Sequence, residues 1–157
     1  MFISRLVLSA CMLAFVFICS CSKDESTTGT NTFTSGMVAV VDGTTWTGTT
    51  PVALMTNGML TIQSFQNGEN LQIGMLSVPS VGTFTLGGNS TTTGTITNTA
   101  SQKVWSTTLS GSGTLTISKL TSTEIEGTFS FTAPPYLGNT ATNTREVKEG
   151  KFALKFL

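Results

Sequence analysis

The chain has 157 residues, in which eight Lys and Arg balance eight Asp and Glu and histidine is absent. Without histidine there is no Ser-His or Cys-His catalysis, and most zinc, copper and iron sites are excluded. With charge balanced and only 10% of residues charged, there is no electrostatic footprint for nucleic acid.

The first five residues carry one positive charge, at Arg5, and residues 6–18 (LVLSACMLAFVFI) are all apolar or small. A basic start, a short apolar run and small residues make the layout of a secretory signal. A spanning helix needs roughly 20 apolar residues, so an uncleaved anchor is the poorer reading. Ile18-Cys19-Ser20-Cys21 closes the segment and resembles a bacterial lipobox: an aliphatic residue, two small ones, then the cysteine that receives lipid. Residues 1–20 are therefore expected to be a lipoprotein signal peptide and Cys21 the lipidation site. Cys19 fits worse, because Phe17 and Ile18 would fill the small positions. Ordinary cleavage leaving a free thiol is the alternative. Each buried CH₂ of an acyl chain contributes about 0.8 kcal/mol, so two or three chains hold firmly where one is marginal. Cys11 and Cys19 leave with the signal, so no disulfide is expected and the core must stabilise the mature chain unaided.

Residues 21–32 follow as the lipidated cysteine and a Ser/Thr/Gly-rich stretch with too little apolar surface to fold, the composition of a flexible tether. Within it, Lys23-Asp24-Glu25 resembles the Lys-acidic-acidic export signal that follows the lipidated cysteine in surface-exposed lipoproteins of Bacteroidota. An ordinary charged tether is the alternative there.

Over residues 33–157 the period is two. The alternation predicts strands near 36–41, 45–49, 52–56, 59–66, 69–78, 82–87, 94–107, 112–120 and 123–133, with a tenth at 146–157. Leu71, Ile73 and Met75 alternate with Gln72 and Gly74; Ile125, Gly127, Phe129 and Phe131 alternate with Glu124, Glu126, Thr128 and Ser130. One buried and one wet face is the pattern of antiparallel strands. Asp42-Gly43, Asn57-Gly58, Asn67-Gly68 and Gly87-Gly88 supply the positive φ of tight hairpins, and Pro134-Pro135 ends the strand before it. No stretch has a helical period. The expected fold is all-β: an antiparallel meander of about 8–10 strands, forming a sandwich or an up-and-down, lipocalin-like barrel.

Val41-Asp42-Gly43-Thr44-Thr45-Trp46, Gly127-Thr128-Phe129-Ser130-Phe131 and Gly150-Lys151-Phe152 resemble the marks of an uncharacterised group of small Bacteroidota lipoproteins, which open with V-D-G-x-x-W and carry a late G-T-F-x-F strand. The resemblance spans residues 33–157 and implies a lipid-anchored β domain with no assigned activity. Read from the residues alone, Asp-Gly makes the first hairpin, Trp46 caps the core and the glycines let strands bend or approach closely.

Chemistry-bearing residues are few. Glu124 and Glu126 lie two apart on one strand face, about 7 Å from each other, a spacing superficially like that of glycosidase acid–base pairs. They share that face with Thr128, Ser130 and Thr132, so a solvated surface is the better reading. Asp42 precedes Gly43 as a turn former. Trp46, Trp105 and Tyr136 suit a sugar-stacking platform or plain packing. Thr83/Thr85, Thr95/Thr97/Thr99 and Thr114/Thr116 are too irregularly spaced for an ice-binding array and read as wet strand faces. The expectation is a non-enzymatic, cofactor-free lipoprotein of the outer membrane, displayed on the cell surface as a binding or accessory module. Its membrane partner is reached through the lipid, with no nucleic-acid partner; a protein, glycan or small-molecule partner is not named by the sequence. The alternative is a carrier holding a small apolar ligand inside a β-barrel.

Overall fold

A computed structural model describes residues 35–157. Eleven strands and no helix form there: β1 (Gly36–Val41), β2 (Thr44–Thr47), β3 (Thr49–Thr56), β4 (Met59–Gln66), β5 (Glu69–Met75), β6 (Gly82–Leu86), β7 (Thr92–Asn98), β8 (Lys103–Ser106), β9 (Ser112–Leu120), β10 (Glu124–Ala133) and β11 (Arg145–Lys155). They build two antiparallel sheets, one of six strands in the order β2-β1-β11-β10-β9-β6, the other of five in the order β3-β4-β5-β7-β8. The two sheets form a sandwich rather than a closed barrel.

Alternation decides which side of each strand is dry. Leu60, Ile62, Leu71 and Ile73 of the five-stranded sheet meet Leu115, Ile117, Ile125 and Phe152 of the six-stranded one, all fully buried. Each such side chain contributes roughly 1.5–3 kcal/mol by leaving water. These side chains belong to one continuous buried cluster between the two sheets.

Three of the four expected hairpin dipeptides behave as their chemistry requires; Gly87 and Gly88, with φ of 87° and 59°, instead carry the chain from β6 to β7, which lie in different sheets. Asp42, Asn57 and Asn67 have φ of 49°, 52° and 50°, and the glycines after them 79°, 77° and 77°. Two consecutive positive φ values make the type I′ turn whose twist matches that of the flanking strands.

Between β10 and β11 the register pairs Gly127 with Phe152 and Phe129 with Gly150. Each ring covers the glycine opposite: a methyl at Gly127 would lie 2.6 Å from Phe152 Cζ, and one at Gly150 would lie 2.5 Å from Phe129 Cδ2. The Phe129 ring centroid is 6.3 Å from that of Phe152 and 6.4 Å from that of Phe131. The G-T-F-x-F and G-K-F segments are thus two halves of one cross-strand ring stack.

Two features differ from the alternation reading. The run 94–107 is two strands, because Asn98 Oδ1 accepts the Ser101 backbone N–H at 2.9 Å and Gln102 takes φ of 55°, turning the chain. The expected strand 69–78 stops at Met75, short of Pro79. The alternation also left the sheet order open: β11, last in the chain, lies between β10 and β1, and β6 pairs with β9.

Candidate functional site

The β1–β2 turn presents Asp42 at one end of the six-stranded sheet, where β11 begins. Asp42 and Glu146 exchange backbone and side-chain bonds: the Asp42 N–H donates to Glu146 O at 2.9 Å, and the Glu146 N–H donates to Asp42 Oδ1 at 2.8 Å. Arg145 and Val147 are two apart, so Arg145 faces the opposite sheet as buried Val147 does. Its Nε donates to Asp42 Oδ2. Nη1 and Nη2 donate to the two carboxylate oxygens of Glu69, at the start of β5, at 2.9 and 3.1 Å. The guanidinium carbon lies 4.9 Å from the ring centroid of Trp105 on β8. The Trp105 Nε1–H donates to the Asn143 carbonyl at 2.9 Å, just before β11. One arginine therefore ties both sheets together.

A cleft of about 240 Å³ opens over this cluster, lined among others by Asp42, Trp46, Gln66, Glu69 and Arg145. The Glu69 hydrogen bonds raise the Arg145 pKa, burial opposes them, and the Glu69 and Asp42 charges add to the rise. A cation fixed this firmly by two acceptors neither gives nor takes a proton. The geometry is that of an inter-sheet rivet.

At the far end of the same sheet, Lys119 Nζ donates to Glu124 Oε2 and Glu126 Oε1, both at 2.8 Å. The hydrogen bond from Lys119, with its charge second, holds the Glu124 carboxyl below its ordinary pKa. A general acid needs the opposite shift, so Glu124 is not tuned as one. The sequence reading placed both glutamates on the solvated face and missed Lys119, which the β9–β10 register sets opposite Glu126.

The other candidates separate. Trp46 and Trp105 are buried, at 5% and 6% exposure, and Tyr136 is exposed at 44%, so the three present no joint platform. Thr83 pairs with Thr116 and Thr85 with Thr114 across β6 and β9, while Thr95 and Thr97 lie in the other sheet. Arg145 and Glu69 carried no signal in the sequence, being 76 residues apart. Cys21, Lys23, Asp24 and Glu25 lie outside the described residues.

No curated protein and no solved structure matches the chain. A family model does match, over residues 29–154: the chain belongs to the family of the domain of unknown function DUF6252.

Proposed function

We propose that this protein is a lipid-anchored, non-catalytic binding or accessory module displayed on the outer face of the outer membrane. The observation that carries the reading is Ile18-Cys19-Ser20-Cys21, ending a short apolar run and followed at once by a polar tether. Lipid on Cys21 holds the chain to the membrane, and Lys23-Asp24-Glu25 directs it to the surface. The non-catalytic part is supported by five of the six side-chain carboxylates among the described residues: Asp42 and Glu69 are bound to Arg145, Glu124 and Glu126 to Lys119, and Glu146 to Lys148. Carboxylates fixed in this way are neutralised by partners rather than poised for proton transfer.

The test begins with the mature N-terminus. Membrane-extracted protein should start at Cys21 and carry acyl mass on that residue, and Cys21→Ala should accumulate as unprocessed or mislocalised precursor. An unmodified N-terminus elsewhere would overturn the anchor. An antibody to an epitope near Thr30 should label intact cells, and changing Lys23, Asp24 and Glu25 together to Ala should abolish labelling while lipidation persists. Labelling of wild-type cells only after permeabilisation would put the domain in the periplasm and refute display.

A further inference from the structure

We propose that the outer face of the five-stranded sheet binds a neutral polysaccharide chain laid across its strands. This deepens the reading of the protein as a binding module and rests on it.

The first observation is where charge is missing. From residue 43 to residue 102 the only ionisable side chain is Glu69, and Arg145 neutralises it. Soluble globular domains average about 25% charged residues. In the five-stranded sheet, Glu69 and Lys103 are the only ionisable residues, each at the first position of its strand. The six-stranded sheet carries Lys119, Glu124 and Glu126, and on β11 alone Arg145, Glu146, Lys148, Glu149, Lys151 and Lys155. One face of the sandwich is thus studded with charge, and the other carries amides and hydroxyls with the exposed apolar side chains Leu54 and Met59 towards its β3 edge.

The second observation is what the register assembles there. Phe65 pairs with Asn70, Asn70 with Thr97, and Thr97 with Val104. Past β8, the antiparallel bridge between Trp105 and Pro135 sets Tyr136 beside Val104, and the Tyr136 N–H donates to the Val104 carbonyl at 2.9 Å. Since Leu71, Ile96 and Trp105 point into the core, this neighbouring row points outward. An exposed aromatic stands at each end, Phe65 at 36% and Tyr136 at 44% exposure. Four strand spacings separate them, about 19 Å, the length of a short oligosaccharide. The parallel row is Gln63, Gln72, Thr95 and Ser106. Asn70 Nδ2 donates to Gln63 Oε1 at 3.4 Å.

A neutral sugar chain matches this chemistry. Its C–H faces stack on aromatic rings, its hydroxyls both donate and accept, and it requires no counter-charge. Uncharged amides and hydroxyls also lose their water at far lower cost than lysines or glutamates.

Full-length protein in detergent should be retarded in native gels containing a soluble neutral polysaccharide, from a panel of glucan, galactomannan and xylan, and not by polygalacturonate. Phe65→Ala with Tyr136→Ala should weaken retention at least tenfold. Gln72→Glu should do the same by placing a charge in the face, with the melting temperature of both variants preserved. Thr128→Ala, on the outer face of the six-stranded sheet, should bind as wild type. No retardation by any neutral polymer, equal retardation by polygalacturonate, or unchanged binding in the variants would each overturn the proposal. So would a concentration-dependent dimer, or adsorption to phosphatidylcholine vesicles, that the same variants abolish, since the face would then belong to a second copy or to lipid. The acyl mass on Cys21 and the labelling of intact cells are read independently, so display can stand when glycan binding fails.

Discussion

Removing the Arg145 guanidinium would leave Asp42 and Glu69 at one cleft with no cation between them. An exposed ion pair is worth about 0.2–1 kcal/mol, whereas breaking a buried one costs about 3–5 kcal/mol. Side-chain exposures of 17% for Arg145 and 42% for Asp42 put this site between those limits. Arg145→Met is expected to cost about 2 kcal/mol, read as a lower urea midpoint at neutral pH. Arg145→Lys should fall between the two, because lysine keeps the charge but cannot fork across both Glu69 oxygens or lie flat on Trp105. Adding Glu69→Gln to Arg145→Met should recover part of the loss by removing an uncompensated carboxylate. A wild-type midpoint for Arg145→Met would show that the two sheets do not depend on the rivet. None of this was legible in the sequence, where Arg145 only precedes the last expected strand, at 146–157. Its partners lie 76 and 103 residues away, and no local period encodes such a meeting.

At the scale of the strand, β10 and β11 were the most readable elements, because apolar and polar residues alternate through Ile125, Phe129 and Phe131 and again through Phe152 and Leu154. The pattern gives the buried face and therefore the register's parity. Phe129→Ala should cost roughly 3–5 kcal/mol, as emptying a buried aromatic site does. Thr128→Ala on the wet face should stay within about 0.5 kcal/mol. Gly150→Ala tests the ring stack from the other side: its methyl would sit 2.5 Å from Phe129, and forcing the ring aside should cost about 1–3 kcal/mol. Equal losses from Phe129→Ala and Thr128→Ala would reverse the faces, and a neutral Gly150→Ala would dissolve the stack. The pattern was less informative at the edges. There β2, β6 and β8 are only four or five residues long, and β3 carries Pro51 with a register shift between Thr49 and Val52. Short or interrupted edges resist pairing with other chains, and shortness also leaves too few residues for a period to declare itself. That is why the limits of β2 and β3 slipped and the 94–107 run concealed a turn, whereas β1, β4 and β9 came out at their expected limits.

Across the whole molecule, alternation identified the antiparallel class but not which strand neighbours which, since a period describes a strand's faces and is silent about its partner. The arrangement that results makes the fold depend on its last segment. β1 pairs with β11 and β2, so without β11 the first hairpin loses its link to β10 and the six-stranded sheet is cut in two. The same strand supplies buried Val147, Phe152 and Leu154, each worth roughly 1.5–3 kcal/mol, and carries Arg145 of the rivet. A domain of this size is stable by about 5–15 kcal/mol in all, so deleting β11 removes most or all of that margin. A chain ending at residue 144 should therefore show no cooperative melting transition and should be degraded rapidly by protease, while a chain lacking only exposed Leu157 should melt within a few degrees of the wild type. Pairings between the two ends of a chain also form slowly, because a long loop must close before they contribute, so the intact domain should refold in milliseconds to seconds rather than microseconds. A cooperative transition in the chain ending at residue 144 would mean that β1 finds another partner, and the central place assigned to β11 would fall.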